Sequence, residues 1–240
     1  MKRIIIVGAT SGIGYEVAKE FLEEGWKIGI AGRRKQALAD FKTLYPDRIE
    51  TQVLDVTATD AVENLSLLIE KMGGMDLFFL SSGIGSQNLQ LDPAIELNTA
   101  ETNVTGFIRM VSAAFNYFKQ NRKGHIAVIS SIAGTKGLGI APAYSATKRF
   151  QNTYIEALSQ LSHLEKLHIR FTDIRPGFVA TELLKNGKYP MLMNANSVAK
   201  HIVHALKCEK RTVVIDFRYA VLVFFWRLIP RRIWEVLPVK

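Results

Sequence analysis

Short apolar runs alternate along this chain with longer segments in which apolar residues recur every three or four positions. The short runs are rich in Ile, Val and Phe and predict buried strands, whereas the spacing in the longer segments predicts amphipathic helices. Regular alternation of the two elements indicates an α/β fold, in which helices cover both faces of a parallel sheet. We therefore expect a doubly wound parallel sheet of about seven strands.

The chain has 240 residues, a length that suits one α/β domain with a sizeable core. We predict that residues 1–216 form this domain and that residues 217–240 are an apolar and basic tail appended to it. The predicted strands lie near residues 3–7, 26–31, 49–54, 75–81, 125–130, 168–174 and 211–215. The predicted helices lie near residues 13–24, 35–44, 58–71, 91–121, 143–165 and 196–207. The irregular stretch 182–196 is interpreted either as a mobile lid over a substrate or as an ordinary surface loop.

A glycine-rich turn follows the first predicted strand and opens the first predicted helix. Gly8 permits a tight turn, Gly12 lets the backbone approach a phosphate, and Gly14 allows helix and strand to pack closely. The free N–H groups and the dipole at the helix start favour an anion there. This context favours a Rossmann-type dinucleotide site over a bare tight turn, with cofactor contacts expected at Gly8, Thr10, Ser11, Gly12, Ile13 and Gly14.

A second signal lies in the middle of the chain, where Tyr144 and Lys148 stand four residues apart. On one helix this spacing places both side chains on the same face, one turn apart. A nearby ammonium favours the phenolate, so we expect Lys148 to draw the Tyr144 pKa down toward neutrality. Ser131 closes a predicted strand, so its hydroxyl is expected at the carboxyl end of the sheet, where ligands bind. Such a Tyr can exchange a proton with a carbinol, although an ordinary surface helix is the alternative interpretation.

The glycine spacing G-x-x-x-G-x-G, together with Ser131, Tyr144 and Lys148, resembles the short-chain dehydrogenase/reductase family in its compact single-domain branch. The resemblance extends over about residues 3–216. It implies an NAD(P)-dependent oxidoreductase that interconverts a carbonyl and a secondary alcohol by hydride transfer at the CH–OH group. It further implies that Tyr144 is the acid/base and that Ser131 donates a hydrogen bond to the substrate oxygen.

Other residues match positions to which the family assigns a role. The resemblance implies that Asn103 is a fourth catalytic residue, which holds a water linking Lys148 to solvent. Lys148 is also expected to hold the nicotinamide ribose, while Asp55 and Val56 contact the adenine. The further implied cofactor contacts are Ser81, Ser82, Gly83, Pro176, Gly177, Val179 and Thr181. The chain departs from the family pattern at Ser81, where Asn is common, and a serine has less reach for the bonding behind the cofactor.

The end of the second predicted strand bears on which nicotinamide cofactor is used. Folds specific for NAD place a carboxylate there, which binds the ribose 2′-hydroxyl. In this chain Gly32 stands at that position, and Arg33 and Arg34 follow it. A guanidinium donates hydrogen bonds in pairs and suits a phosphate. We therefore predict NADP(H) as the preferred cofactor and NAD(H) as the alternative, unless the two arginines only begin a solvated helix.

The formal net charge of +9 raises the question of a nucleic-acid partner. The basic residues are scattered and no nucleic-acid-binding module is recognisable, so none is expected. The single cysteine, Cys208, cannot form an internal disulfide, and no secretory signal precedes the first strand, so we expect a cytoplasmic location. His201 and His204 can share a helix face, but two histidines without a third ligand predict no metal site.

The tail contains an apolar run from Tyr219 to Trp226, which is too short for a membrane span of about 20 residues. The arginines that flank this run are Arg218, Arg227, Arg231 and Arg232. Arginine and tryptophan side chains together suit peripheral contact with anionic lipid headgroups. Packing against a partner subunit or against the chain's own core are the alternatives. The family resemblance implies a homodimer or homotetramer.

The expected partner is a small-molecule carbonyl or alcohol, which would be apolar or lipid-like if the tail contacts a membrane. The pocket walls are expected to include Ile132, Leu138 and Phe178. Two other functions are kept as alternatives, a non-catalytic NADPH-sensing protein and a membrane-associated scaffold in which the tail acts. The oxidoreductase is favoured because neither alternative uses the full set of Asn103, Ser131, Tyr144 and Lys148.

Overall fold

Seven parallel strands form the main sheet of the computed structural model, which describes residues 1–184 and 189–239. The described residues contain nine strands, seven in the main sheet and two in a separate pair. They are β1 (Arg3–Val7), β2 (Lys27–Gly32), β3 (Ile49–Val53), β4 (Leu77–Leu80), β5 (Lys123–Ile129), β6 (His168–Pro176), β7 (Val179–Ala180), β8 (Met193–Asn194) and β9 (Thr212–Ile215). The main sheet has the order β3-β2-β1-β4-β5-β6-β9, and β7 pairs with β8 apart from it. This topology confirms the predicted Rossmann-type doubly wound fold.

Helices cover both faces of the sheet. They are α1 (Gly12–Glu23), α2 (Lys35–Leu44), α3 (Ala61–Met72), α4 (Pro93–Ala100), α5 (Phe107–Asn121), α6 (Pro142–Leu164), α7 (Ala195–Lys207), α8 (Phe217–Leu228) and α9 (Arg231–Trp234). Strand β1 shows why this arrangement is stable. Ile4 and Ile6 enter the core on one face of the sheet, whereas Ile5 and Val7 enter the core on the other. A strand buried on both faces is apolar at every position, as parallel sheets require.

The order of the strands reverses between β1 and β4, which are neighbours in the sheet although two strands separate them in sequence. Ligands bind in open α/β sheets at such a switch point, outside the carboxyl ends of the strands. Gly8 follows β1, Ser81 follows β4, and Ser130 follows β5 at this edge. The topology therefore brings the glycine turn and the predicted catalytic residues to one edge of the sheet.

The predicted helix 91–121 differs from the structure, because α4 and α5 are joined by a wide π-helical turn, Glu101–Gly106. The irregular stretch 182–196 differs in part from the structure, since β8 and the first two residues of α7 lie within it. The segment for which a lid and a surface loop are the two interpretations lies partly outside the described residues. Turns of the π type are rare and occur mostly as single-turn bulges at functional sites.

The tail forms α8 and α9, and it packs on the chain's own domain. Tyr219 is 1 % exposed, Val223 is 3 % exposed and Trp234 is 8 % exposed. The Tyr219 hydroxyl accepts a hydrogen bond from the Phe178 backbone N–H at 3.2 Å and donates to the Pro190 carbonyl at 2.9 Å. One side of the tail is therefore part of the folded core. Among the described helices, none is long and apolar enough to cross a membrane.

One buried histidine predicts how stability depends on pH. His125 on β5 shares a 2.8 Å hydrogen bond with Thr172, and burial, aided by the charge of Arg170, lowers the pKa of His125 from 6.5 to about 4. Between these two values the unfolded chain binds more protons than the folded chain, so the free energy of unfolding declines as the pH falls through this window. The decline is at most roughly 3 kcal/mol.

We expect the His125→Gln variant to lose this decline, because glutamine does not titrate. Urea unfolding at neutral pH and at the acid end of the window measures the difference. His201→Gln, on the exposed side of α7, is the matched control and should keep the parent's pH dependence. Equal pH slopes for the His125→Gln variant and the parent would show that other groups carry the effect.

Candidate active site

The glycine turn between β1 and α1 forms an open backbone cradle. Gly8 has φ +93° and Gly12 has φ +57°, a region in which side chains are strained. A Cβ on Gly8 would lie 2.6 Å from the backbone nitrogen of Ser82, so only glycine fits there. Ser11 precedes α1 without making a side-chain capping hydrogen bond. The side chain therefore does not occupy the first N–H groups of the helix, which suits an anionic ligand.

The remaining residues of the turn have different surroundings. Gly14 packs directly against the Gly8 carbonyl, so the start of α1 lies close on the end of β1. Ile13 packs against the hydrophobic core, and a ligand at this point would meet its backbone. The Thr10 hydroxyl accepts a hydrogen bond from Arg34 Nε at 3.1 Å. Thr10 also fills the space that a Cβ on Gly32 would occupy, at 2.8 Å.

Two arginines and one carboxylate surround the ends of β2 and β3. Arg34 pairs with Glu182 at 3.0 Å in addition to its bond with Thr10, so it is already engaged. Arg33 has a side chain that is 72 % exposed and approaches Asp55 only at 4.0 Å. Burial tends to raise the pKa of Asp55, but hydrogen bonds from the backbone and hydroxyl of Thr57 and the charge of Arg33 lower it below its usual value. Of the two arginines at the ends of β2 and β3, Arg33 is therefore the more available to bind an anionic ligand.

The segment after β6 returns over the glycine turn. A Cβ on Gly12 would meet the Thr181 methyl group at 3.2 Å, so these two residues border the same space. Pro176 ends β6, Gly177 packs under the ring of Tyr219, and Val179 lies in β7. The tertiary structure thus places the segment from Pro176 to Thr181 beside the glycine turn.

Close backbone approach also marks the residues after β4. The N–H groups of Ser81 and Ser82 both donate to the Val7 carbonyl, at 2.8 and 3.1 Å. A Cβ on Gly83 would lie 3.3 Å from Asn103 Oδ1 and 3.3 Å from Lys148 Nζ. The absence of a side chain at Gly83 therefore lets two of the predicted catalytic residues approach the end of the central strand. Val56, the neighbour of Asp55, packs against Gly106 in the π-helical turn.

Ser131 and Tyr144 meet at the carboxyl end of β5. Ser131 precedes a single turn of 3-10 helix, Ile132–Thr135; its hydroxyl accepts the Ala133 N–H at 3.1 Å and donates to the Pro176 carbonyl at 3.4 Å. Tyr144 stands in the first turn of α6, with its ring packed on Gly85. The Ser131 side chain lies close enough to the Tyr144 hydroxyl to influence its pKa.

The pKa of Tyr144 differs from the expectation drawn from the sequence. Burial raises the pKa of Tyr144 above its usual value, and the nearby Ser131 hydroxyl offsets only part of that rise. Lys148 Nζ lies 5.7 Å from the centre of the Tyr144 ring. The predicted lowering of the Tyr144 pKa is therefore wrong, because the cost of burying a phenolate dominates at this position. Tyr144 is consequently protonated at neutral pH, the state of a proton donor.

Lys148 is 4 % exposed, and its ammonium group donates hydrogen bonds to two oxygen atoms. Its Nζ donates to the Ile129 carbonyl at 3.0 Å and to Gln151 Oε1 at 3.1 Å. The Gln151 amide then donates to the Asn103 carbonyl at 2.9 Å, so Gln151 links Lys148 to the π-helical turn. Burial lowers the pKa of Lys148 to about 8, and the charge of Asp173 opposes this shift.

Asn103 is fully buried in the π-helical turn. Its side chain bonds the backbone of Ile84 in both directions, accepting the N–H at 2.9 Å and donating to the carbonyl at 2.7 Å. It also donates to the Thr147 hydroxyl at 3.2 Å. These bonds fix the segment after β4 against α6. Gln151 connects Asn103 to Lys148, because it bonds both residues.

A buried charge network supports the site from β6. Asp173 is 1 % exposed and accepts hydrogen bonds from Ser130, from Asn152 at 3.0 Å and from Arg175 at 2.6 Å. A buried carboxylate needs such partners because desolvation is costly. The position of Asp173 favours the charged form of Lys148, which burial alone disfavours.

The sequence interpretation missed Gln151, Asn152 and Asp173. A signal was available, since Gln151 and Asn152 follow Tyr144 by seven and eight positions and so share its helix face. Asp173 lies among consecutive buried positions of β6, and a carboxylate inside a buried strand requires partners. What these partners are depends on the packing of α6 against β6.

Comparisons with known proteins agree with this geometry. The family model described as short chain dehydrogenase matches residues 2–189. An uncharacterized oxidoreductase of Mycobacterium tuberculosis is 31 % identical over 242 residues, covering 96 % of this chain and 95 % of that protein.

Two solved structures share the fold. ElxO with NADP bound superposes with a TM-score of 0.81 at 23 % identity, covering 92 % of this chain and 99 % of its own. The 3-ketoacyl-(acyl-carrier-protein) reductase from Brucella melitensis complexed with NADH gives a TM-score of 0.80 at 24 % identity, covering 90 % and 96 %. From the family match and the close relative, the chain belongs to the short-chain dehydrogenase/reductase family and is an oxidoreductase of that family.

Proposed function

We propose that the protein is an NADP(H)-dependent oxidoreductase that interconverts a carbonyl and a secondary alcohol, with Tyr144 as the acid/base. The observation that carries this proposal is the meeting of Ser131, Tyr144 and Lys148 at the carboxyl ends of the strands, beside the glycine turn. A proton donor, a second hydroxyl and a buried cation at one place suit a reaction in which charge develops on an oxygen atom.

The residues of the turn fit a dinucleotide. Gly8 and Gly12 carry no side chains that would cover the backbone of the cradle, and no side chain caps the start of α1. A pyrophosphate suits such a helix terminus. Arg33 and Asp55 would hold the adenosine end, and Lys148 would hold the nicotinamide ribose. When bound, the nicotinamide supplies or accepts the hydride.

The chain's own residues then handle the proton and the charge. Ser131 donates a hydrogen bond to the substrate oxygen as negative charge grows on it, an interaction that strengthens in the transition state. Tyr144 is protonated at neutral pH and gives its proton to that oxygen. The Lys148 ammonium stabilises the resulting phenolate, and Gln151 and Ile129 hold the ammonium in position.

Apolar residues directly follow Ser131 and lie in the segment after β6, which favours a substrate with hydrophobic bulk. Ile132 follows Ser131 directly and is buried. The rings of Phe178 and Tyr189 lie 4.9 Å apart at the start and end of the segment that follows β6. We therefore propose an aldehyde or ketone with an apolar, lipid-like chain as the substrate.

A panel of aldehydes and ketones of increasing chain length tests the proposed function. Oxidation of NADPH by the full chain, followed by ultraviolet absorbance, should increase with substrate hydrophobicity. Tight NADPH binding without turnover on any member of the panel would contradict the proposal and favour the sensing function.

The cofactor preference is tested at Arg33. We expect the Arg33→Ser variant to lose about tenfold or more in kcat/KM for NADPH and to change little with NADH, because one charge-assisted phosphate contact contributes roughly 1.5–3 kcal/mol. The measurement is kcat/KM with each cofactor. The exposed Lys200→Ser variant is a charge-matched control on α7. Equal losses with both cofactors would remove Arg33 from the phosphate site.

A further inference from the structure

Helix α8 is apolar on two opposite sides. One side, with Tyr219 and Val223, is buried against the domain. The opposite side is exposed: Phe217 is 80 %, Val221 39 %, Phe224 59 %, Phe225 58 % and Leu228 64 % accessible. We refer to these five exposed residues as the outer face of α8. A helix that is apolar on all sides is normally buried on all sides. The exposed outer face therefore indicates a site of interaction with a partner.

The charges around the outer face are arranged in a definite way. At about 100° per residue, the five apolar positions fall within an arc of roughly 100°, and Arg218 and Arg227 lie at its two borders. Arg231 and Arg232 begin α9, and Ile233 in α9 and Val236 just after it are also exposed. An apolar strip bordered by arginines is typical of a helix that lies in a membrane interface.

The balance of charge at this surface is positive. Arg218 pairs with Asp216 at 2.8 Å, and Arg231 pairs with Glu235 at 2.7 Å. Arg227 and Arg232 form no ion pair with any of the described residues. Two cations thus remain available beside the apolar strip.

The tail is fixed to the domain. Trp234 Nε1 donates to the Gly137 carbonyl at 2.7 Å, and Lys136 Nζ donates to the Ile229 carbonyl at 2.8 Å. With the bonds of Tyr219, these contacts attach α8 and α9 to the loops that flank Ser131 and Tyr144. Because the inner side is held in this way, the outer face cannot turn inward and is presented to a partner.

We propose that the outer face of α8 docks on the surface of an anionic lipid membrane. Apolar side chains enter the headgroup region while the flanking arginines contact lipid phosphates, which matches the pattern and the charge of this surface. A second copy of the chain fits less well. A two-fold contact brings the same surface of both copies together, so Arg227 and Arg232 of one copy would meet the like charges of the other. The five side chains are also fewer than the roughly 20–30 residues a side of a standard protein interface.

Docking would place the membrane beside the loops that border the candidate active site. An apolar carbonyl compound could then enter from the lipid; this consequence, unlike the docking itself, rests on the proposed function. Sedimentation with vesicles measures docking without any turnover, so failure of the proposed function and failure of the docking are distinguishable.

The test uses the full chain with vesicles of phosphatidylcholine alone and of phosphatidylcholine mixed equally with phosphatidylserine. The parent should pellet with the mixed vesicles, and added salt should weaken its binding. The Phe224→Ser/Phe225→Ser variant should bind at least tenfold more weakly, since two apolar side chains no longer enter the interface. The Leu164→Ser variant is the matched control, because Leu164 is 74 % exposed at the end of α6.

A second variant tests how much the arginines contribute to membrane binding. Arg227→Gln/Arg232→Gln should lose about fivefold in binding for each arginine on mixed vesicles, with an unchanged melting temperature. If the parent does not pellet with the mixed vesicles, or if Leu164→Ser weakens binding as much as the Phe224/Phe225 variant, the proposal is overturned. It is equally overturned if the parent is an oligomer in solution that the Phe224/Phe225 variant dissociates, since a second copy then covers the face.

Discussion

The Tyr144→Phe variant is expected to lose about 10²- to 10⁴-fold in turnover while NADP(H) binding stays nearly unchanged. The substitution removes one hydroxyl and keeps the ring, so the packing of the ring on Gly85 is preserved. In the proposed reaction this hydroxyl is the proton donor, and phenylalanine has no proton to give. Turnover at saturating substrate and cofactor affinity from fluorescence titration measure the two effects separately.

The control for this prediction is Tyr154→Phe on the same helix. The Tyr154 hydroxyl bonds Ser112 at 3.0 Å, away from the site, so its removal should cost a small amount of stability and little turnover. If Tyr144→Phe retained the parent's turnover, the acid/base assignment would fail even with the fold and the family unchanged.

The Lys148→Met variant is expected to lose both turnover and cofactor affinity. Methionine fills a similar volume, so the change is chiefly the loss of the ammonium that contacts Ile129 and Gln151. We expect turnover to fall about 10²-fold or more, because the Tyr144 phenolate loses its stabilising cation. The Michaelis constant for NADPH should rise in parallel, since Lys148 is also proposed to hold the ribose.

Stability distinguishes a functional loss at Lys148 from a structural one. The folded pKa of Lys148, about 8, lies below the usual 10.5, so the unfolded chain binds more protons between these values. The parent's free energy of unfolding should therefore rise with pH through that window, and Lys148→Met should lack this rise. The variant should be close to the parent in stability at neutral pH, whereas marked unfolding would assign Lys148 a structural role. Lys148→Arg should not rescue turnover, because the planar guanidinium does not fit the position of a compact ammonium.

Much of the fold is determined locally, which is why the sequence predicts it. The central strands β1 and β4 are mainly apolar runs, and most of the covering helices repeat their apolar residues with helical spacing. The glycine turn is also a local feature, since the conformations at Gly8 and Gly12 depend on neighbouring backbone. The π-helical turn that contains Asn103 is not local in this sense, because it is fixed by bonds to Ile84 and Thr147 from other parts of the chain.

The sequence alone predicts the seven strands of the main sheet in their order along the chain, the turn at Gly8 to Gly14, and the helical spacing of Tyr144 and Lys148. The tertiary structure alone decided the electrostatics, because the pKa of a buried group depends on desolvation and on partners distant in sequence, as Asp173 is for Lys148. It also decided the place of the tail. The sequence of an apolar and basic helix does not show which of its sides is buried. Packing against the loops beside the candidate active site shows that Tyr219 faces inward while Phe224 and Phe225 face outward.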